Sequence, residues 1–90
     1  MNNTDFNTEL KLRRAALIEQ YARLRRIAAI LIQRGSVRFD KDQHSYYMRT
    51  GDYFRGSIKD RMAAMKLMEL QKLIRDQAVR LLDLERITTK

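Results

Sequence analysis

The chain of 90 residues contains no cysteine, proline or tryptophan, and it has only three glycines and one histidine. Without cysteine it cannot form disulfides, thiolate zinc sites or iron–sulfur clusters, and it has no thiol nucleophile. It also lacks a run of about 18 apolar residues, so we expect no transmembrane segment. Acidic residues in the N-terminal segment argue against a secretory signal. These absences predict an intracellular protein, cytoplasmic or nuclear, that is not secreted.

Positive charge is the most distinctive property that is present. Nineteen Lys and Arg residues stand against 11 Asp and Glu residues, which gives a formal net charge of +8. The basic residues are spread over the whole chain and do not form a tail, so they belong to the folded surface. Apolar residues make up 44% of the sequence, enough for a thin core in one domain of residues 1–90. The charge balance points to an anionic partner.

The glycines all fall between residues 35 and 56, and they divide the chain into three segments. Residues 5–34 contain good helix formers and precede Gly35, which predicts a first helix of about 5–34. Residues 57–86 predict a second helix, because apolar residues recur there at intervals of three and four. Ser57 and Asp60 have the spacing of a capping box at its start, with Asp in place of Glu.

The segment 36–56 has the pattern of a small β-hairpin. Val37 and Phe39 alternate with polar residues, residues 40–43 form a polar turn, and residues 46–48 have the aromatic content of a returning strand. We therefore predict a mainly α fold, in which two long antiparallel helices are joined by a segment that contains this hairpin. A winged-helix-like fold with a bent second helix is the alternative.

Leucines recur every seven residues along the first helix, at Leu10, Leu17, Leu24 and Leu31. This spacing places them on one stripe, as in a coiled coil. The stripe packs either against the second helix of the same chain or against another chain. The six apolar residues 27–32 place apolar surface in every direction around the helix axis. The β-hairpin, a bent second helix or another protein must cover the part that a two-helix hairpin leaves exposed. The candidate residues for a protein interface are therefore Leu10, Leu17, Leu24, Ile27, Ile30, Leu31 and Ile32.

Arginine and tyrosine supply a second set of candidates. Arginine side chains suit forked contacts to phosphates or carboxylates, and tyrosine rings beside them can stack on bases, anchor a protein contact or simply form the core under the hairpin. The candidate phosphate or acidic-partner contacts are Arg13, Arg23, Arg25, Arg26, Arg38, Arg49 and Arg55. The candidate stacking residues are Tyr46, Tyr47 and Tyr53.

Catalytic chemistry has little support in the sequence. The single histidine, His44, lies beside Ser45, but sequence neighbours do not make a nucleophile and base without a third group and a fixed geometry. One histidine among scattered acids does not supply the three or four ligands of a metal site, and no glycine-rich phosphate loop is present. We predict no catalytic, cofactor-binding or metal-binding residues and no enzymatic activity.

Residues 52–56, with the sequence Asp-Tyr-Phe-Arg-Gly, resemble a short segment of a known family. The family is the translocation subunit that accompanies the Sec channel in post-translational import into the endoplasmic reticulum. The flanking residues 27–33 and 58–65 resemble the helices on either side of that segment. The resemblance implies a non-catalytic, basic cytosolic domain that docks onto an acidic segment of a translocon partner. The chain departs from the family because that subunit is membrane-anchored and no membrane span is visible here.

The sequence therefore favours a small basic, non-catalytic interaction subunit that docks by helix packing into a larger protein assembly or a homo-oligomer. The alternatives are a nucleic-acid-binding protein, which would use the dispersed arginines and the aromatic residues 46–54, and a soluble translocon-associated domain. Attachment to an anionic membrane surface has less support.

Overall fold

The computed structural model describes residues 3–88 as two long antiparallel helices joined by a small β-hairpin. Helix α1 spans Asn3–Gln33 and helix α2 spans Ile58–Thr88. Between them, strands β1 (Val37–Asp40) and β2 (Ser45–Met48) pair antiparallel, and a 3-10 turn follows at Gly51–Tyr53. This confirms the predicted mainly α architecture. Because α2 is continuous from Ile58 to Thr88, the winged-helix-like alternative is not adopted.

Helix α1 ends in a Schellman motif that turns the chain into β1. The N–H of Ser36 donates to the carbonyl of Leu31, and the N–H of Gly35 donates to the carbonyl of Ile32, both at 3.0 Å. Gly35 has a φ of +82°, and a Cβ atom there would lie 2.6 Å from the Cβ of Arg55. Glycine is therefore required both by the left-handed backbone and by the close approach of the segment that returns to α2.

Helix α2 begins with the predicted capping box. The N–H of Asp60 donates to Oγ of Ser57 at 3.2 Å, and the N–H of Ser57 donates to Oδ2 of Asp60 at 2.8 Å. Arg34 at the end of α1 donates to the other carboxylate oxygen of Asp60 at 2.8 Å. This cluster ties the end of α1 to the start of α2, and we call it the Asp60 clasp.

The core is a narrow line of residues between the helices, spaced alternately by three and four, which we call the seam. On α1 the seam comprises Leu10, Arg14, Leu17, Tyr21, Leu24, Ala28 and Leu31. On α2 it comprises Asp60, Ala64, Leu67, Gln71, Ile74, Ala78, Leu81 and Glu85. Its buried apolar members and Val37 form the core. The leucine repeat of α1 therefore packs against α2 of the same chain.

The β-hairpin adds one apolar face to this core. Val37 is fully buried, and its cross-strand partner Met48 packs beside it. The Tyr46 ring meets Phe39 edge to face, with ring centroids 5.1 Å apart. Gln71 of α2 holds the outer edge of β2, because its side-chain Oε1 accepts from the Tyr46 N–H at 2.7 Å and its Nε2 donates to the Tyr46 carbonyl at 2.9 Å.

Candidate functional site

The residues predicted for a protein interface differ in how far α2 and the hairpin cover them. Leu10, Leu24 and Leu31 are buried in the seam, Leu17 and Ile27 are half-buried, and Ile30 and Ile32 are exposed. The three buried leucines are therefore unavailable to a partner, because α2 already occupies the stripe on which they lie. Only Ile30 and Ile32 keep the exposure that docking requires.

Another surface has the properties of a docking site. It consists of the residues that come directly after each seam residue in the sequence. In an antiparallel helix pair, the residues that follow the seam on both helices lie on one side of the pair. The residues that precede the seam lie together on the opposite side. The latter relation is visible in one groove, whose lining includes Gln20 of α1 and Gln77 of α2. Each of these glutamines precedes a seam residue by one. The positions one past the seam therefore form one continuous side of the molecule.

This side, which we call the basic–apolar side, contains only apolar and cationic residues between positions 11 and 86. On α1 it consists of Lys11, Ala15, Ile18, Ala22, Arg25, Ala29 and Ile32. On α2 it consists of Arg61, Met65, Met68, Lys72, Arg75, Val79, Leu82 and Arg86. The acidic residues that repeat every seven along α2 lie on its outward face instead, at Glu69, Asp76 and Asp83. The basic–apolar side therefore carries positive charge only, although further basic residues such as Arg23 and Arg80 lie elsewhere on the helices.

Large apolar side chains stand exposed on this side, toward the end of the molecule opposite the hairpin. Ile18 is 71% exposed, Val79 57% and Leu82 54%. Ile18 and Leu82 each follow a seam residue, Leu17 and Leu81, which line the same groove. We call these three residues the open-end patch. Sequence inspection missed them, although their offset from the seam would have revealed them once the seam was known.

The predicted arginine contacts fall into separate regions of the surface. Arg13 pairs with Glu9 at 2.9 Å, one turn away on α1. Arg23, Arg25 and Arg26 are exposed but point to different sides of that helix, because successive residues turn by about 100°. The helix therefore does not gather these arginines into one phosphate-binding stripe.

The arginines of the middle segment behave differently. Arg38 and Arg49 come together with Tyr47 and Tyr53 around a shallow pocket on the solvent-facing side of the hairpin. Arg55 has an exposed side chain, and its N–H donates to the carbonyl of Gly35 at 3.0 Å.

Tyr46 is less accessible than the other two candidate stacking residues. Its ring is half-buried against the core and contacts Phe39, so only Tyr47 and Tyr53 of the three candidates present exposed rings. The alternation of side chains along β2 explains the difference, because Tyr46 and Tyr47 point to opposite faces of the hairpin.

Two ion pairs between the helices were not foreseen. Arg14 donates to Glu85 at 2.6 Å near the open end, and Arg34 donates to Asp60 at the opposite end. The amide of Ser57 and the guanidinium of Arg34 hold the pKa of Asp60 below its ordinary value, because both stabilise the carboxylate. The capping-box spacing identified Asp60, but only the fold brings Arg34 to it.

Over residues 3–88 no cluster of three or more His, Cys, Asp or Glu side chains is arranged to hold a metal ion. Neither α1 nor α2 combines the length and the apolar character that crossing a membrane requires. Comparison with protein families, curated proteins and solved structures finds no match to this chain. The resemblance to the translocation subunit therefore rests on residues 52–56 and their flanks alone.

Proposed function

We propose that the protein is a small interaction subunit whose basic–apolar side docks onto an acidic amphipathic helix of a partner protein. The observation that carries the proposal is the open-end patch, three exposed large apolar side chains on a side that has six basic residues and no acidic one. A helix that buries leucines against the patch and places carboxylates beside Lys11, Arg25 and Arg75 would complement it in both respects.

The open-end patch offers apolar surface that such docking would bury. Full burial of a Val, Leu or Ile side chain contributes roughly 1.5–3 kcal/mol. Each member of the open-end patch has more than half of its surface left to bury. Two helices packed side by side also present a groove, and a third helix packs into such a groove at an axis separation of about 8–10 Å. The result would be a three-helix bundle in which the partner supplies the missing helix.

Two other occupants fit this side less well. A second copy docked through the same side by a twofold axis would bring together two sides that carry only positive charge, which opposes association. A membrane-inserting face needs a continuous apolar stripe with its basic residues at the border. Here Arg25 and Arg75 interrupt the apolar residues along each helix. A protein helix with alternating leucines and glutamates avoids both difficulties.

The test uses the full chain labelled with ¹⁵N and a synthetic amphipathic peptide that carries leucines on one face and glutamates beside them. We expect binding at low salt, with amide shifts concentrated around Ile18, Arg25, Val79 and Leu82. The variant Ile18→Ser/Leu82→Ser should weaken the affinity about tenfold or more. The control Leu12→Ser/Leu73→Ser, which removes exposed leucines from other faces, should leave it unchanged.

Three results would contradict the proposal. The first is equal binding of a peptide in which every glutamate is replaced by lysine, since charge complementarity would then play no part. The second is a set of shifts that maps away from the open-end patch. The third is concentration-dependent self-association, or binding to anionic vesicles, that Ile18→Ser/Leu82→Ser abolishes, because either would assign the patch to a different occupant.

A further inference from the structure

We infer that the solvent-facing side of the β-hairpin binds one nucleotide unit of a single-stranded nucleic acid. A shallow pocket of about 330 Å³ lies on this side, and it is separate from the residues of the basic–apolar side. Its lining consists of Arg38, Tyr47, Met48, Arg49, Thr50 and Tyr53. Two guanidinium groups and two phenol rings thus converge on one concave surface, which has room for a single planar ring and its attached phosphate.

The hairpin register brings these side chains together. Arg38 and Tyr47 are cross-strand partners, and both are exposed. Arg49 follows Tyr47 by two residues and therefore points to the same face. The guanidinium carbon of Arg49 lies 6.0 Å from the centroid of the Tyr53 ring, and that ring is 72% exposed. The 3-10 turn thus positions a second aromatic face beside the strand arginines.

The charges of Arg38 and Arg49 are not neutralised by acidic side chains. Among the described residues, ion pairs join Arg13 to Glu9, Arg14 to Glu85 and Arg34 to Asp60, and none of these pairs involves the pocket. Guanidinium groups make forked hydrogen bonds to phosphate oxygens, and tyrosine rings stack on the flat faces of bases. A ligand that satisfies both groups must contain an anionic phosphate and an aromatic ring close together, which describes a nucleotide.

The geometry favours a nucleotide within a single strand over a duplex or a free nucleotide. A base can reach Tyr47 or Tyr53 only when it is unstacked from its neighbours, and bases in a duplex are not. The pocket is shallow and has no glycine-rich loop to enclose a free phosphate. Neighbouring phosphates of a strand supply the remaining affinity through the net charge of +8.

The experiment measures binding of the full chain to a fluorescent 12-nucleotide single strand of mixed sequence by anisotropy, at 50 and 200 mM salt. The variant Tyr47→Leu/Tyr53→Leu keeps the charge but removes the rings, and it should weaken binding about five- to 150-fold for each stacked base lost. Tyr21→Leu, an exposed tyrosine of α1, is the matched control and should have no effect. Arg38→Gln/Arg49→Gln should also reduce the slope of log affinity against log salt by about 1.4.

Any of four results would overturn the inference. Two concern the single strand itself: no binding at 50 mM salt, or an equal loss of affinity in the charge-matched control Arg23→Gln/Arg26→Gln. The other two are equal affinity for a duplex and displacement of the strand by AMP at an equal nucleotide concentration. The last result would assign the pocket to free nucleotides. The tyrosine variant should bind the acidic peptide as the native chain does, so failure of this inference is distinguishable from failure of the docking proposal.

Discussion

Among individual residues, Asp60 is a buried carboxylate held by several hydrogen bonds. Its carboxylate accepts hydrogen bonds from the N–H of Ser57 at 2.8 Å, from Oγ of Ser57 at 3.1 Å and from Arg34 at 2.8 Å. Gly56 leaves room for it, since a Cβ atom at that position would lie 2.8 Å from the carboxylate. The clasp therefore needs a short charged side chain at position 60. Ser57 and Arg34 contact its carboxylate, and Gly56 leaves space for it.

Because the pKa of Asp60 is lowered in the folded state, the free energy of unfolding should decrease at acidic pH. The folded state favours the carboxylate, so its stabilisation is fully present above about pH 5 and is lost as the pH falls below the ordinary value of 3.8 toward the folded pKa. We expect the free energy of unfolding in urea of Asp60→Asn to lie well below that of the native chain at pH 7, with the gap narrowing between pH 5 and 2. The same change at exposed Asp76 is the control, and a gap that stays constant with pH would contradict the assignment.

Gly35 and Gly51 form a natural pair for separating backbone strain from steric contact. Both have positive φ, +82° and +58°, but a Cβ at Gly51 meets nothing within 4 Å whereas one at Gly35 would collide with Arg55. Gly51→Ala should cost about 1–2 kcal/mol for the left-handed backbone, and Gly35→Ala should cost distinctly more. Thermal unfolding of the two variants measures the difference, and equal losses would show that the collision relaxes freely.

At the scale of elements, the hairpin needs α2 because an isolated pair of short strands is only marginally stable in water. Gln71 provides a specific part of that support by bonding both backbone groups of Tyr46. Its side-chain amide occupies the edge of β2 in the way that a third strand would. A helix residue at the edge of β2 therefore helps to hold the hairpin, and with it the solvent-facing pocket, in place.

Replacing Gln71 tests this support. Gln71→Ala leaves the N–H and carbonyl of Tyr46 without protein partners, and we expect a loss of about 1–3 kcal/mol in the free energy of unfolding. Hydrogen exchange of the Tyr46 amide should accelerate more than exchange in the middle of α1. Gln77→Ala, at another half-buried glutamine of the same helix, should change neither quantity by a comparable amount.

The elements and the antiparallel course of the helices were predictable from sequence, but the individual side-chain contacts between elements were not. The predicted helices 5–34 and 57–86 end within two residues of the observed ones, because glycine and the Ser57–Asp60 box act locally. The contact between Gln71 and Tyr46 joins residues 25 positions apart, and no local pattern reveals it. The apolar run 27–32 likewise does not indicate which of its side chains are buried. Only the fold shows that Ala28 and Leu31 face inward while Ile30 faces solvent.

The candidate sites divide in the same way. The aromatic and arginine content of residues 38–53 pointed to a surface with chemistry, but the sequence did not separate Tyr46 from Tyr47 or gather Arg38 with Arg49. The leucine repeat is conspicuous in the sequence because it is regular, and that regularity reflects the internal seam. The open-end patch is irregular in the sequence, and its members lie on both helices, so it becomes visible only when the helices are placed side by side.

The whole molecule is a thin rod of 55 × 22 × 15 Å whose stability depends on one line of side chains. Residues of this buried line should therefore determine stability, whereas exposed residues on the same helices should affect it little. Leu24→Ala, in the buried seam, should reduce the free energy of unfolding by about 2–5 kcal/mol. Ile30→Ala, on an exposed position of the same helix, should change it by less than about 1 kcal/mol. Urea denaturation of both variants measures the two effects, and similar losses would mean that Ile30 belongs to the core.

The antiparallel course of α1 and α2 also brings residues 3 and 88 to the same pole of the rod, one helix length from the hairpin. A helix of 31 residues is about 45 Å long. A fluorescent label attached at the start of α1 or near the end of α2 would therefore lie far from the pocket formed by Arg38, Tyr47, Arg49 and Tyr53.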